Sequence, residues 1–331
     1  MRLFFISSGT KTLSYLDPNI ISAFRHIEKH AAAPFKFACF HPDKENMQYL
    51  YFKVYKFRPN IIIFLNNIIP IQYFSQLKRL RVPIGLWVVD DPYMISLHIT
   101  KAKMFDFVIT EDSGAVPVYK NNNIKPIHLP LAVNPSFYSP MEVPDKYKYD
   151  ICFVGSALPI RLKIIDDLTP FLKDKKFILI GRWWQKLKNY SILKNNIINH
   201  TIPPNEVAKY YNGTKIVLNI HRTVNDVNLN PQRVPAYTPN NRTFDIAACQ
   251  AFQLATYRRD LEKYFDLGNE MVCYHNVQDL KEKIDYYLEN NTEKQRIAEN
   301  AYKRTMHDHT YVKRLEELIG ILKKEILVVK K

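Results

Sequence analysis

The feature that most limits how this chain can fold is a repeated alternation of short apolar runs with amphipathic stretches long enough to be helices. Up to residue 131 the runs are 3–7, 35–40, 60–65, 84–89, 107–110 and 127–131, and helical spacing of apolar positions appears at 20–29, 47–57 and 71–80. A strand that is apolar at nearly every position must be covered on both faces, and a helix between consecutive strands lets them lie parallel. The pattern predicts an α/β fold with a parallel sheet between two layers of helices. It then starts again. Residues 151–154, 177–180, 197–201, 216–220, 252–255 and 271–273 read as strands, and 162–172, 206–211 and 280–288 as helices. Residues 293–331 read as helix throughout, broken only at 307–311.

Between the two series stand Pro130, Pro135, Pro140 and Pro144. Prolines this dense can continue neither a helix nor a central strand, so the segment reads as a linker. A chain of 331 residues also exceeds the size at which single cores stop growing, roughly 250–300 residues. The expected division is a first domain at 1–132, a linker at 133–148, a second domain at 149–305 and a terminal helix at 306–331. Two doubly wound units of this kind are expected to turn their strand ends toward one cleft.

Several function classes lose support at this level. No apolar run approaches the ~20 residues of a membrane-crossing helix. The opening Met1-Arg2-Leu3-Phe4-Phe5-Ile6-Ser7-Ser8-Gly9 lacks the long apolar stretch and cleavage site of a secretion signal and reads as a first strand and loop. A cytoplasmic protein is expected. Cys39, Cys152, Cys249 and Cys273 are scattered among apolar neighbours, which suits reduced buried thiols better than disulfides or zinc. The net charge of +15 accompanies a general richness in Lys, Asn and Ile, and no consecutive block of Lys or Arg forms a binding tail. No nucleic-acid partner is expected, a peripheral membrane contact stays open, and oligomeric state is not legible.

The densest chemistry lies at Asn240-Asn241-Arg242-Thr243-Phe244-Asp245, a helix start built of capping residues. A helix N-terminus presents free N–H groups and the positive end of its dipole, so with Arg242 beside it this one suits a diphosphate, and Asp245 a turn later suits ribose hydroxyls. The same residues are also ordinary caps. Gly9, Gly155 and Gly181 each follow an expected strand, where a backbone turns tightly or approaches a ligand. The loop Gly155-Ser156-Ala157-Leu158-Pro159-Ile160-Arg161 opens a helix with small residues, but it has neither the Gly-Lys-Ser ending of a Walker loop nor a three-glycine dinucleotide fingerprint. Common ATPase and dehydrogenase readings weaken accordingly.

After the strand at 177–180, Arg182 is placed to clamp a phosphate and Trp184 to stack on a base or sugar, unless one of the indoles at 183 and 184 is core. His221 and Arg222 end another strand and suit diphosphate oxygens. Asp90 and Asp91 end a strand of the first half, where a carboxylate could act as general base on an acceptor hydroxyl. Neighbours on a strand face opposite ways, so one of the two is expected at the site, and Asp91 before Pro92 equally suits a loop cap. Glu111 and Asp112 are weaker candidates of the same kind. His307-Asp308-His309 lacks a third ligand and reads as a helix junction, so no metal site is expected.

The segments Leu218-Asn219-Ile220-His221-Arg222, 241–249 and Val89-Asp90-Asp91-Pro92, with Leu261-Glu262-Lys263-Tyr264-Phe265-Asp266-Leu267-Gly268-Asn269-Glu270, Tyr286-Tyr287-Leu288 and His309-Thr310-Tyr311-Val312-Lys313-Arg314, resemble the CgeB/YkvP-type spore-protein family of glycosyltransferases over nearly the whole chain. The resemblance implies the GT-B fold: two Rossmann-like domains with a cleft between them, and a C-terminal helix crossing back onto the first. It implies a nucleotide diphosphate sugar donor, UDP-linked for preference, held mainly by the second domain, with no required metal or other cofactor. The acceptor would be a glycan, a protein or a cell or spore surface. Carried over, Arg242 and Thr243 lie at the diphosphate and Asp245 at the donor ribose. Many retaining relatives have Glu where this chain has Tyr237, and glycine where it has Gln250. The alternative these departures suggest is a GT-B-like scaffold that binds nucleotide or glycan without turnover.

Overall fold

In the computed structural model, which describes residues 1–10, 16–66, 69–226 and 228–327, all twelve expected strands form. The first six are β1 (Arg2–Ile6), β2 (Lys36–Phe40), β3 (Ile61–Leu65), β4 (Ile84–Trp87), β5 (Phe107–Thr110) and β6 (Pro126–His128). They pair in parallel in the order β2-β1-β3-β4-β5-β6. Every residue of β3 is buried, as an all-apolar strand at the middle of a covered sheet requires. Helix Leu16–His30 packs against helix Tyr311–Ile321 within the same unit, so the chain from Tyr311 folds with the first half. Residues 328–331 of the expected terminal helix lie outside the described residues.

The second series is β7 (Tyr149–Val154), β8 (Phe177–Ile180), β9 (Ile197–Ile198), β10 (Thr214–Asn219), β11 (Gln253–Thr256) and β12 (Val272–Tyr274). Its order is β12-β11-β10-β7-β8-β9, again parallel. The chain winds outward from β7 through β8 and β9, then returns to the other side of β7 with β10. That reversal puts the topological switch point between β7 and β10, the place where open α/β sheets bind ligands beyond the strands' carboxyl ends.

Two helices of the first unit, Ile95–Ala102 and Ala115–Asn121, carry no long apolar stripe and were not expected. Pro117 sits in the first turn of the latter, where its missing N–H costs no helical hydrogen bond.

Contacts divide the chain into two units: Met1–Leu131 with Leu229–Ala236 and the segment from Tyr311, and Ala132–Asn228 with Tyr237–Thr310. The proline-rich residues 133–148, read above as a linker, therefore fold with the second unit. Their aromatic residues explain it: Tyr138 stacks on Tyr211 with ring centroids 6.3 Å apart, and Tyr147 meets Tyr210 edge-on at 5.0 Å. Residues 229–236 belong to the first unit although they lie deep in the second half of the sequence. The Leu229 N–H donates to the Tyr93 carbonyl at 2.7 Å, and the Leu229 carbonyl accepts from Ser96 at 3.1 Å. Helix Asn291–Asp308 stays with the second unit, and the junction at His309 falls where the sequence breaks.

Candidate functional site

The carboxyl end of β10 is fastened to the start of helix Asn241–Ala248 by a closed amide network. The Asn240 side chain caps the helix by accepting from the Thr243 N–H at 3.0 Å, and its Nδ2 donates to Asn219 Oδ1 at 3.0 Å. Asn219 Nδ2 donates to Thr243 Oγ1 at 2.9 Å and to Gln253 Oε1 at 3.2 Å, while Gln253 Nε2 donates to the Thr243 carbonyl at 2.9 Å. Thr243 is fully buried in this network, so its hydroxyl is committed to the protein and does not serve a phosphate directly. The helix start, with Asn241 and Arg242 half-buried, is held rigidly at the switch point.

Cations gather there. The guanidinium of Arg161 lies 5.4 Å from the centre of the Phe153 ring and that of Arg242 lies 5.5 Å from it. A Cβ on Gly155 would stand 2.9 Å from Arg242 Nη2 and 3.2 Å from Arg161 Nη1, so glycine lets both guanidiniums close over the loop after β7. A Cβ on Gly181 would stand 2.2 Å from the Gly155 carbonyl oxygen, which brings the loop after β8 against it. Arg161, itself buried, donates through Nε to the Ile220 carbonyl at 3.0 Å and through Nη1 to the Ser156 carbonyl at 2.9 Å. It thereby ties the β7 loop to the end of β10.

His221 sits among these guanidiniums. Its backbone N–H and its Nδ1 both meet Thr256 Oγ1, at 2.9 and 2.8 Å. Burial first, and then the charges of Arg258, Arg242 and Arg161, hold its pKa well below the ordinary imidazole value, so the ring is neutral at physiological pH. Arg258 donates to the Arg222 carbonyl beside it. Around this centre His221 Nε2, Arg242 Nη1 and Tyr274 Oη are buried with no hydrogen-bond partner among the described residues. Mutually repelling guanidiniums beside unmatched polar atoms form an arrangement that an anion stabilises.

Other expected site residues fall differently. Trp184 is wholly buried, edge-on to Phe153 with centroids 5.6 Å apart, and its Nε1 donates to the Gly155 carbonyl at 3.1 Å. It shapes the loop from beneath and is closed to a base or sugar. Trp183 is the exposed indole, and Arg182 is exposed beside it. Asp245 is buried and accepts from Asn241 Nδ2 at 2.9 Å. Burial raises its pKa well above the usual carboxyl range although Arg242 and Asn241 oppose the shift.

In the first unit Asp91 is also committed. One carboxylate oxygen is 2.6 Å from His98 Nδ1, and the other accepts from Thr110 Oγ1 at 2.6 Å and Tyr119 Oη at 2.8 Å, all buried. It braces the ends of β4 and β5 and is not a base for an acceptor. Asp90 is exposed with φ of 71°, and its N–H donates to Glu111 Oε1 at 2.5 Å. Burial, then the charge of Asp90, and those of Asp91 and Asp112, push the Glu111 carboxyl well above its ordinary pKa. Gly9 follows β1 with φ of 62°, a left-handed conformation that favours glycine. Among the described residues, no group of three or more His, Cys, Asp or Glu side chains is placed to hold a metal ion, and no helix is long and apolar enough to cross a membrane.

Comparison with known proteins decides what kind of chain carries these features. Residues 161–320 match the family described as "Glycosyl transferase-like". The chain is 27% identical over 320 residues to the spore protein CgeB of Bacillus subtilis, covering 94% of this chain and 95% of CgeB. The chain is thus similar to CgeB over nearly its whole length and to glycosyltransferases through its second half. Solved structures agree on the fold of this glycosyltransferase. A glycosyltransferase from Rickettsia africae superposes with a TM-score of 0.66 at 11% identity, covering 100% of this chain and 99% of that one. Anabaena Alr3699/HepE, in complex with UDP and glucose, gives 0.60 at 12% identity over 98% and 99%. Sucrose-phosphate synthase from Thermosynechococcus elongatus gives 0.63 at 10% identity over the whole of both chains. The two parallel sheets are thus the two Rossmann-like sheets of the GT-B fold.

Sequence reading passed over Arg258 and Tyr274, which stand beside the cation centre. Arg258 lies just past the end of β11, the same signal that drew attention to His221 and Arg222 after β10.

Proposed function

We propose that this glycosyltransferase takes its sugar from a uridine diphosphate sugar and holds the diphosphate on Arg242, Arg161, Arg258 and His221 of the second unit. One observation carries the reading: at the β7–β10 switch point, guanidiniums surround the His221 imidazole, and His221 Nε2 and Arg242 Nη1 are buried without a partner among the described residues. Diphosphate oxygens supply the missing acceptors and the opposite charge. The imidazole meets the diphosphate as an Nε2–H donor. The solved complexes of Anabaena HepE with UDP and with UDP-glucose favour uridine as the base.

In the transfer an acceptor hydroxyl oxygen bonds to the anomeric carbon as the bond from that carbon to the diphosphate breaks. The departing diphosphate gains negative charge, and fixed guanidiniums stabilise it more than they stabilise the intact donor. A divalent ion is not needed for that task, so turnover should survive a chelator. Asn241, with Asp245 behind it, is assigned to the ribose side of the donor. Asp90, the solvent-accessible member of the carboxylate pair, is assigned to take the acceptor proton. A glycan or protein hydroxyl at a cell or spore surface is the acceptor class suggested by the likeness to CgeB, and four free cysteines suit a reducing compartment such as the cytoplasm.

Titration calorimetry with UDP, GDP and dTDP tests the donor assignment. UDP should bind, and Arg242→Ala should weaken it; no heat with any of the three at millimolar concentration would sink the proposal.

A further inference from the structure

Between Glu45 and Asp90 the chain carries no carboxylate at all, while Lys53, Lys56, Arg58, Lys78, Arg79 and Arg81 fall in that interval. Every one of these except Lys78 is exposed. The interval includes helix Leu50–Phe57, which buries Leu50 and Val54 against the first unit's sheet. Its outer side carries aromatic rings between exposed lysines. Tyr49, Phe52 and Tyr55 follow one another at spacings of three and are 62%, 60% and 58% exposed. Ile71, which opens the neighbouring helix Ile71–Lys78, is 64% exposed. A hollow of about 590 Å³ on this face is lined by Arg2, Phe52, Tyr55, Lys56 and Arg58.

Three aromatic rings turned outward from a soluble surface have an unfavourable contact with water that a partner would remove. The charge around them restricts the partner. Lys53 meets Glu45, but Lys56 and Arg58 beside the rings have no carboxylate neighbour along their own segment, so the complementary surface is anionic. Tyr and Phe rings favour the boundary between headgroups and acyl chains, while lysine and arginine stems lie along the apolar layer with their heads among lipid phosphates. One surface offers an apolar layer beneath a plane of phosphates.

We propose that this face of the first unit docks on an anionic phospholipid bilayer, with Tyr49, Phe52 and Tyr55 entering the headgroup boundary and Lys56 and Arg58 meeting lipid phosphates. The contact brings the enzyme to a surface through side chains of one helix face. It is independent of the donor site, and its test does not depend on nucleotide binding.

The test is co-sedimentation of the full chain with phosphatidylcholine vesicles, with and without added phosphatidylglycerol, at low and raised salt. The protein should sediment with the anionic vesicles only, and less as salt rises. Phe52→Ala with Tyr55→Ala should weaken the association by about tenfold or more. Lys56→Glu should weaken it by about tenfold, since each juxtamembrane cation contributes on the order of a fivefold gain and the new carboxylate is repelled. Thermal melting of both variants should match the parent, because all three side chains point outward. Equal sedimentation with neutral and anionic vesicles, no sedimentation with either, or undiminished binding by the ring variant would overturn the proposal. So would a dimer in sedimentation velocity that the same ring substitutions dissociate.

Discussion

The loops that follow β4 and β5 in the first unit carry Asp90, Asp91, Glu111 and Asp112, whereas those that follow β10 and β11 in the second carry His221 and Arg258, with Arg161 and Arg242 at the starts of helices Pro159–Leu172 and Asn241–Ala248. Both sheets are six-stranded, parallel and doubly wound, so the difference is one of chemistry on a shared frame. The two ends also differ in how far the protein satisfies its own polar groups. Asp91 receives Thr110 and Tyr119 and meets His98, and it is consumed by the fold. His221 Nε2 and Arg242 Nη1 are buried with no bonding partner among the described residues. A perturbed or charged group in a strand-end loop is therefore no guide to function until its partners are counted.

The largest expected effect tests the structural side of that contrast. Asp91→Ala leaves three buried polar side chains without their acceptor and should cost about 3–5 kcal/mol of stability, read as a lower urea midpoint. A variant as stable as the parent would return Asp91 to the list of functional carboxylates.

Arg242→Ala should do the opposite. It should reduce UDP affinity by about ten- to a hundredfold, the range for lost charge-assisted hydrogen bonds, with a much smaller effect on urea stability. A large loss of stability with unchanged UDP binding would erase the distinction between the two ends.

The two ends should also respond to pH with opposite signs. Glu111 has a folded pKa raised above its ordinary 4.5, so its contribution is full below that value and is lost as pH rises through the folded value. Replacing it by Gln should stabilise the protein relative to the parent increasingly as pH is raised from acid to neutral. His221 has a folded pKa depressed below 6.5, so its contribution is present above 6.5 and is lost as pH falls. His221→Gln should blunt the destabilisation seen between neutral and mildly acid pH. Urea midpoints across that range check both, and parallel pH curves for parent and variants would count against both assignments.

The smallest effect concerns the backbone at the far end of helix Asn241–Ala248. Gln250 adopts φ of 54° just past helix Asn241–Ala248, a left-handed position where glycine is the common residue. Gln250→Gly should raise stability by about 0.5–1 kcal/mol in a melting experiment, with UDP affinity unchanged.

Much of this molecule is legible in one sequence because its strands are apolar on both faces. Runs such as Ile61–Leu65 and Phe177–Ile180 can satisfy their side chains only inside a covered sheet, so composition at close range dictates their state. The capped start of helix Asn241–Ala248 is equally local, since Asn240 bonds an N–H three residues on. Helix Ala115–Asn121, seven residues long with a proline in its first turn, is too short to show a helical period and has no comparable local signal. Residues 229–236 join the first unit through hydrogen bonds to Tyr93 and Ser96, partners more than a hundred residues away in the chain.

The sequence by itself determined the α/β class, the twelve strands, the capped helix start at Asn241 and the residue types gathered at strand ends. Only the tertiary structure decided which of two neighbours does what: Asp91 buried and Asp90 exposed, Trp184 in the core and Trp183 outside, Thr243 bound into an amide network and Arg242 left with an unmatched nitrogen. The physical reason is that secondary structure follows from period and local hydrogen bonding, while a side chain's function follows from which partners long-range packing brings within bonding distance.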